Sequence, residues 1–153
     1  MRPSIGTADV DEAGVLEREI TIAARPETVF PYLIDPDKIV RWMGTTAELD
    51  PRPGGLFRID YNGNDIARGE YLEVDAPHRV VFTWGWEAPG DATPPGGSTV
   101  EVTLTPVDGG TRVNLRHSGL TPETVIGHGE GWDQFLPALA MFAAEAEAEA
   151  GAA

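Results

Sequence analysis

The chain has 153 residues, no cysteine and a formal charge of −14, from 25 Asp and Glu against 11 Lys and Arg. The missing thiols exclude disulfide scaffolding, thiolate catalysis and thiolate metal sites, and leave the cytoplasm as the expected compartment. The acidic balance makes nucleic acid and anionic membrane poor partners. No run approaches the ~20 apolar residues of a membrane span, and MRPSIGTADVDEAG holds no signal-type apolar stretch.

Residues 1–14 mix Gly, Pro, Ser and acids without periodicity and read as a flexible lead-in. VLEREITIAA then places Leu16, Ile20 and Ile22 on one parity, the pattern of a half-buried strand. In ARPETVFPYLIDPDKIVRWMG, Pro26 suits a first helical turn, and Val29, Phe30, Leu33 and Ile34 fall at helical spacing. Asp35-Pro36 breaks that helix and opens a second short one, Pro36 to Trp42, closed by Gly44.

The middle of the chain is β in character. LFRIDYNGND alternates and then turns at Asn62-Gly63, a hairpin signal because both residues tolerate positive φ. IARGEYLEVDA is the return strand, and Ala76-Pro77-His78 turns again. RVVFTWGWE follows with Val80, Phe82, Trp84 and Trp86 on one parity. The stretch 87–97, rich in Pro and Gly, is a loop. STVEVTLTPV and TRVNLRHSGL form the next pair, putting Val113, Leu115 and His117 on one face.

Thr121 is a natural N-cap, with Pro122 at the first helical position. Gly127, Gly129 and Gly131 predict that this first turn is separate from the main helix, whose stripe is Trp132, Phe135, Leu136, Leu139 and Phe142. Pro137 lies inside that stripe and predicts a kink or a later start. Residues 146–153 read as a flexible tail. The acids of 121–153, unaccompanied by Lys or Arg, read as a solvated helix face.

The fold class expected is α+β: a curved antiparallel sheet of six to seven strands around a long C-terminal helix, with two short helices after the first strand. The segments ITIAARPETVFPYLIDPDKIVRWMG, PGGLFRIDY, GEYLEVDAPHRVVFTWGW, GGTRVNLRHSGL and GWDQFLPALAMF, in that order, resemble the START-like (SRPBCC) superfamily. Within it they resemble the homologues of the C-terminal domain of the heat-shock-protein ATPase activator. The resemblance implies a helix-grip domain over 15–145, with a cavity between sheet and helix that takes lipids, polyketides or other apolar molecules in many relatives. Carriers, cyclases, hydrolases, co-chaperones and stress-resistance proteins all occur among those relatives, so function has to come from the site. Pro137 departs from the family pattern.

Candidate cavity residues are Phe57, Tyr61, Tyr71, Trp84, Trp86, His117, Trp132, Phe135 and Leu139; the same aromatic set also suits a solid core. His117 faces inward and is the candidate acid/base, or else a structural histidine hydrogen-bonded beneath the helix; His78 and His128 are expected to be exposed. Arg58 or Arg68 either pairs with Glu70 or Asp60, or turns inward to bind a carboxylate or phenolate. Ser118 follows His117 directly and points to the opposite face, so the two form no catalytic pair. No nucleophile elbow, phosphate loop, dinucleotide fingerprint or metal-type histidine spacing occurs, so neither cofactor nor metal is expected.

The leading expectation is a protein that binds a small apolar or amphiphilic molecule. A cyclase- or hydrolase-type enzyme using His117 is the alternative, and a co-chaperone of a heat-shock ATPase follows from the resemblance alone. The Ala, Gly, Pro and acid content suits a bacterial source. Oligomeric state is open.

Overall fold

The computed structural model describes residues 14–152. Of the lead-in expected at 1–14, only Gly14 lies among them; it is buried, and its carbonyl accepts from Leu120 N at 3.1 Å. The elements in chain order are β1 (Leu16–Ile22), α1 (Pro26–Val29) running into a 3-10 turn (Phe30–Leu33), α2 (Pro36–Ile39), β2 (Thr46–Leu49), β3 (Leu56–Asp60), β4 (Ile66–Asp75), β5 (Arg79–Trp84), β6 (Ser98–Val107), β7 (Gly110–Ser118) and α3 (Pro122–Ala152).

The seven strands form one antiparallel sheet in the order β1-β7-β6-β5-β4-β3-β2. It is a meander from β2 to β7, closed on its far side by β1. Strand alternation fixes which side chains face the helix. Register carries one buried row across five strands: Leu16 opposite His117, His117 opposite Val100, Val100 opposite Phe82, and Phe82 opposite Tyr71. A one-residue slip in any pair would turn that row to solvent. The Asn62-Gly63 turn is present, but in a longer loop, 61–65, with Gly63 at φ +88°. Asp60 Oδ1 accepts from Gly63 N at 2.6 Å and Asn62 Oδ1 from Asp65 N at 2.7 Å, so side chains supply the turn's missing acceptors.

β2 is a strand the sequence pattern does not announce. It is four residues long, only half-buried, and held by β3 through Thr46↔Asp60 to Leu49↔Phe57. The second short helix is also shorter than expected, ending at Ile39 before a turn to Gly44.

The largest correction concerns the C-terminal helix. It is continuous from Pro122 to Ala152, through Gly127, Gly129, Gly131 and Pro137, and through the segment expected to be a tail. Packing explains this, because tertiary contact outweighs local propensity. Val125, Trp132, Leu136, Leu139 and Ala143 are all buried against the sheet, whereas Pro137 faces solvent, so its ring meets no core side chain. Gly129 is held close to β1, where a β-carbon would lie 2.6 Å from Arg18 Nη2. Beyond Ala143 the helix is pinned to α1: Glu147 accepts from Arg25 Nε at 2.9 Å, from Thr28 Oγ1 at 2.5 Å and from Arg25 N at 3.3 Å. Its carboxyl is held below the usual carboxylate range, chiefly by the Thr28 hydroxyl and then by the Arg25 backbone and guanidinium.

The end of the core nearest α1 and α2 is solid. Phe57 stacks on Phe82 (centroids 4.0 Å apart, planes at 12°) and meets the edge of Tyr71 at 5.7 Å. Tyr71 OH donates to Leu33 O at 3.0 Å, fastening the 3-10 turn onto the sheet, and Trp42 Nε1 to Tyr32 O at 3.0 Å, joining the two short helical segments to each other. β4 crosses β5 so closely at Gly69 that a β-carbon there would sit 1.9 Å from the Thr83 carbonyl oxygen. Gly69→Ala should therefore destabilise the protein by at least the ~1–3 kcal/mol typical of overpacking, read as a lower urea midpoint with an unchanged denaturant slope.

Candidate binding pocket

The opposite end of the sheet–helix interface is open. A pocket of ≈ 580 Å³ is bounded by β5 and its extension (Trp84, Trp86), the 61–65 loop (Tyr61, Asp65), the 87–97 loop (Asp91) and the first half of α3 (Thr124, Gly127, His128, Gly131, Trp132, Phe135). Trp86 is delivered to it by a bridge to Ala67 beyond the end of β5, with Trp86 N donating to Thr93 O at 2.8 Å. Gly127, Gly131 and Phe135 lie at intervals of four along the helix and share one face. A β-carbon at Gly127 or Gly131 would meet no other atom within 4 Å. Gly129 closes a tight packing contact; these two glycines leave space.

The rings form a continuous wall. Trp84 meets Trp86 at 5.6 Å (87°) and Trp132 at 5.5 Å, while Tyr61 lies 5.6 Å from Phe135 and 5.7 Å from Trp86. Of the nine candidate cavity residues, Tyr61, Trp84, Trp86, Trp132 and Phe135 line the pocket. Phe57, Tyr71 and Leu139 do not; they are fully buried in the solid core, where burial pushes the Tyr71 phenol well above its ordinary range. Tyr61 is also raised by burial, and its hydroxyl, like Trp84 Nε1, has no hydrogen-bond partner among the described residues.

His117 lies directly behind the wall and does not line the pocket. Trp132 Nε1 donates to its Nδ1 at 3.0 Å, and an indole nitrogen can only donate. The imidazole proton therefore resides on Nε2, which donates to Ser98 Oγ at 2.8 Å, and Ser98 Oγ in turn donates to Trp84 O at 2.8 Å. Both nitrogens are occupied, and the serine proton is directed away from the histidine. This arrangement makes Ser98 no nucleophile and gives His117 no free base. Burial, then the nearby His128, lowers the imidazole to about 3, so it is neutral near pH 7. In this structure the partners of His117 are side chains of sheet and helix rather than backbone.

His128 was expected to be exposed and is instead part of the wall. Its Nε2 accepts from Trp86 Nε1 at 3.0 Å, so its proton is on Nδ1 and goes to Thr124 O, 2.9 Å away. His78 is exposed, as expected. The sequence signal that would have found His128 is the spacing Thr124, His128, Gly131, Phe135 on one helical face; breaking the helix at the glycines hides it.

No strand arginine enters the pocket. Arg58 faces the outer surface of the sheet and binds Glu87 at 2.9 Å and Glu48 at 3.1 Å, and Arg68 shares Glu87 at 3.4 Å. The expected partners Asp60 and Glu70 are thus replaced by Glu87 and Glu48. Arg58 holds the Glu87 carboxyl below its usual range. Among the described residues no cluster of His, Asp and Glu suited to a metal occurs, and no helix is long and apolar enough to cross a membrane.

Comparison with known proteins places these features. The family described as "Activator of Hsp90 ATPase homolog 1-like protein" matches residues 23–144. The solution structure of an AHSA1-like protein from Rhizobium etli is similar at 45% identity and a TM-score of 0.68, over 85% of this chain and 81% of that one. An HSP90 activator from Plasmodium falciparum shares the fold at a TM-score of 0.64 and 24% identity, over 80% and 90% of the two chains. An uncharacterized protein of Schizosaccharomyces pombe is 28% identical over 80 residues, and that match spans 52% of this chain but only 21% of the yeast protein.

Two outcomes follow from the geometry. Gly127→Ala and Gly131→Ala should each stabilise the protein by up to ~1 kcal/mol, the ordinary helix gain, seen as a higher thermal midpoint. His117 binds its proton later in the folded protein (about 3) than in the unfolded chain (6.5), so stability falls as pH drops below about 6.5. Between pH 7 and pH 5 this group alone should remove on the order of 2 kcal/mol. Urea titrations at both pH values should show that loss reduced in His117→Gln.

Proposed function

The chain belongs to the Activator of Hsp90 ATPase homolog 1-like family, and we propose on that basis that it binds a small, flat, largely apolar molecule between the tryptophans of β5 and the first half of α3. The observation that carries this reading is the pair of glycines at the pocket. Glycine in a helix interior costs about 1 kcal/mol relative to alanine, and here alanine would meet no clash. A helix that forgoes this stability on the face toward a cavity is arranged for the cavity.

Size and chemistry agree with a ligand site. A volume of ≈ 580 Å³ lies in the ~300–1,000 Å³ range of small-molecule pockets. Indole and phenol rings supply broad apolar faces at little rotamer cost, suited to stacking. An acid/base enzyme built on His117 is disfavoured, because both of its nitrogens are occupied and it is neutral. We further place this activity in the cytoplasm and without nucleic acid as partner, in keeping with the −14 charge.

Three of the four tryptophans line the pocket, so intrinsic fluorescence reports on occupancy. Titration with neutral aromatic and lipid-like probes should reveal binders in the micromolar range. Gly131→Leu, which grows a side chain into the free space, should weaken them by ~10-fold or more while the circular dichroism spectrum is retained. A panel in which nothing binds better than ~1 mM would remove the proposal.

A further inference from the structure

Resting on the binding reading above, we propose that the pocket is selective for charge: it takes an aromatic or amphiphilic molecule bearing a quaternary or protonated amine, and discriminates against the carboxylate analogue. Five rings, Tyr61, Trp84, Trp86, Trp132 and Phe135, face the space, and the face of an aromatic ring carries negative potential that attracts a cation. The same walls bear two carboxylates, Asp65 and Asp91, and no Lys or Arg. Neither aspartate has an ion-pair partner among the described residues. Asp65 Oδ2 accepts from Asn62 Nδ2 and Asp91 Oδ1 from Thr93 N, so each has its second oxygen free of hydrogen bonds there.

The groups that would recognise an anion are already committed. Arg58 and Arg68 are on the outer face of the sheet with Glu87. The Trp86 and Trp132 indole protons go to imidazoles, and the His128 proton goes to the Thr124 carbonyl. A carboxylate in this pocket would lose its water and gain no cation, whereas an ammonium group would have carboxylates and aromatic rings for neighbours. Tyr61 OH and Trp84 Nε1 have no hydrogen-bond partner among the described residues and are sealed from solvent. An atom closed to water is closed to a ligand as well, so neither offers a free donor to an anion in the pocket. The −14 charge of the chain enriches cations around the mouth and repels anions.

The experiment uses three probes that share one ring system: (2-naphthylmethyl)trimethylammonium, 2-naphthylmethanol and 2-naphthoate, titrated by tryptophan fluorescence and calorimetry at low and at high salt. The cation should bind ~10-fold or more tighter than the carboxylate, with the alcohol between them, and the gap should narrow as salt rises. An Asp65→Asn/Asp91→Asn double variant keeps both turn-forming oxygens. It should narrow the ratio of the cation's affinity to the alcohol's toward one. Equal affinities for the three probes, or tighter binding of 2-naphthoate, would overturn the charge selectivity and leave the binding reading standing. Binding of none of the three, joined to an equally silent neutral panel, would overturn both.

Discussion

The hydrogen bond from Trp132 Nε1 to His117 Nδ1 is the contact on which the rest of this molecule depends. It joins the end of β7 to the first half of the covering helix, and it sets the tautomer of the histidine between them. By filling Nδ1 it places the imidazole proton on Nε2, which donates to Ser98 Oγ, while the serine's own hydroxyl proton goes to the Trp84 carbonyl. Three elements, α3, β7 and β6, are thereby tied to the strand end that carries the tryptophan wall. The chain is cooperative in the sense that each donor has one acceptor and each acceptor one donor. A buried polar relay of this kind stabilises the fold only when complete, and this one is complete. It also divides the sheet–helix interface into two regions. Towards α1 and α2 the interior is packed around Phe57, Phe82 and Tyr71; on the other side the space opens beneath Gly127 and Gly131.

That division accounts for the way α3 departs from the rules of helix composition. Three glycines and a proline would break an isolated helix. Here the buried stripe of Val125, Trp132, Leu136, Leu139 and Ala143 supplies what propensity lacks, and the far end is anchored by Glu147 on α1. The breakers are sorted by position. Pro137 is placed on the solvent face, Gly129 where β1 approaches, and Gly127 and Gly131 over the pocket.

Much of the fold is legible in the sequence, because strand parity is a property of neighbouring residues. Val80, Phe82 and Trp84, or Val113, Leu115 and His117, declare their face without any knowledge of the partner strand. β2 is not legible: Thr46–Leu49 is short and polar on one side, and is a strand only because β3 offers it an edge. Helix continuity is hidden for the opposite reason, since the local signals at Gly127–Gly131 and Pro137 are real but are outweighed by packing. For the pocket, parity identifies inward residues but not their depth along the strand. Phe57 and Trp84 both face inward and their rings lie within 6.0 Å of each other, yet one is sealed in the core and the other lines the open space. Asp65 and Asp91 come from loops, where no periodicity marks a residue as facing anything, and His128 from a glycine-rich stretch of helix whose local pattern reads as a break.

The separation of Gly127 and Gly131 from every other contact has an evolutionary corollary. Most positions around a binding site are also structural, so altering them trades specificity against folding. These two are not: a β-carbon added at either meets no neighbouring atom within 4 Å. Single codons can thus reduce or reshape the cavity while the sheet, the relay and the core remain as they are. A lineage carrying this scaffold has two nearly independent adjustments for the size of what it accepts, and a route to losing the cavity altogether that makes the protein more robust rather than less.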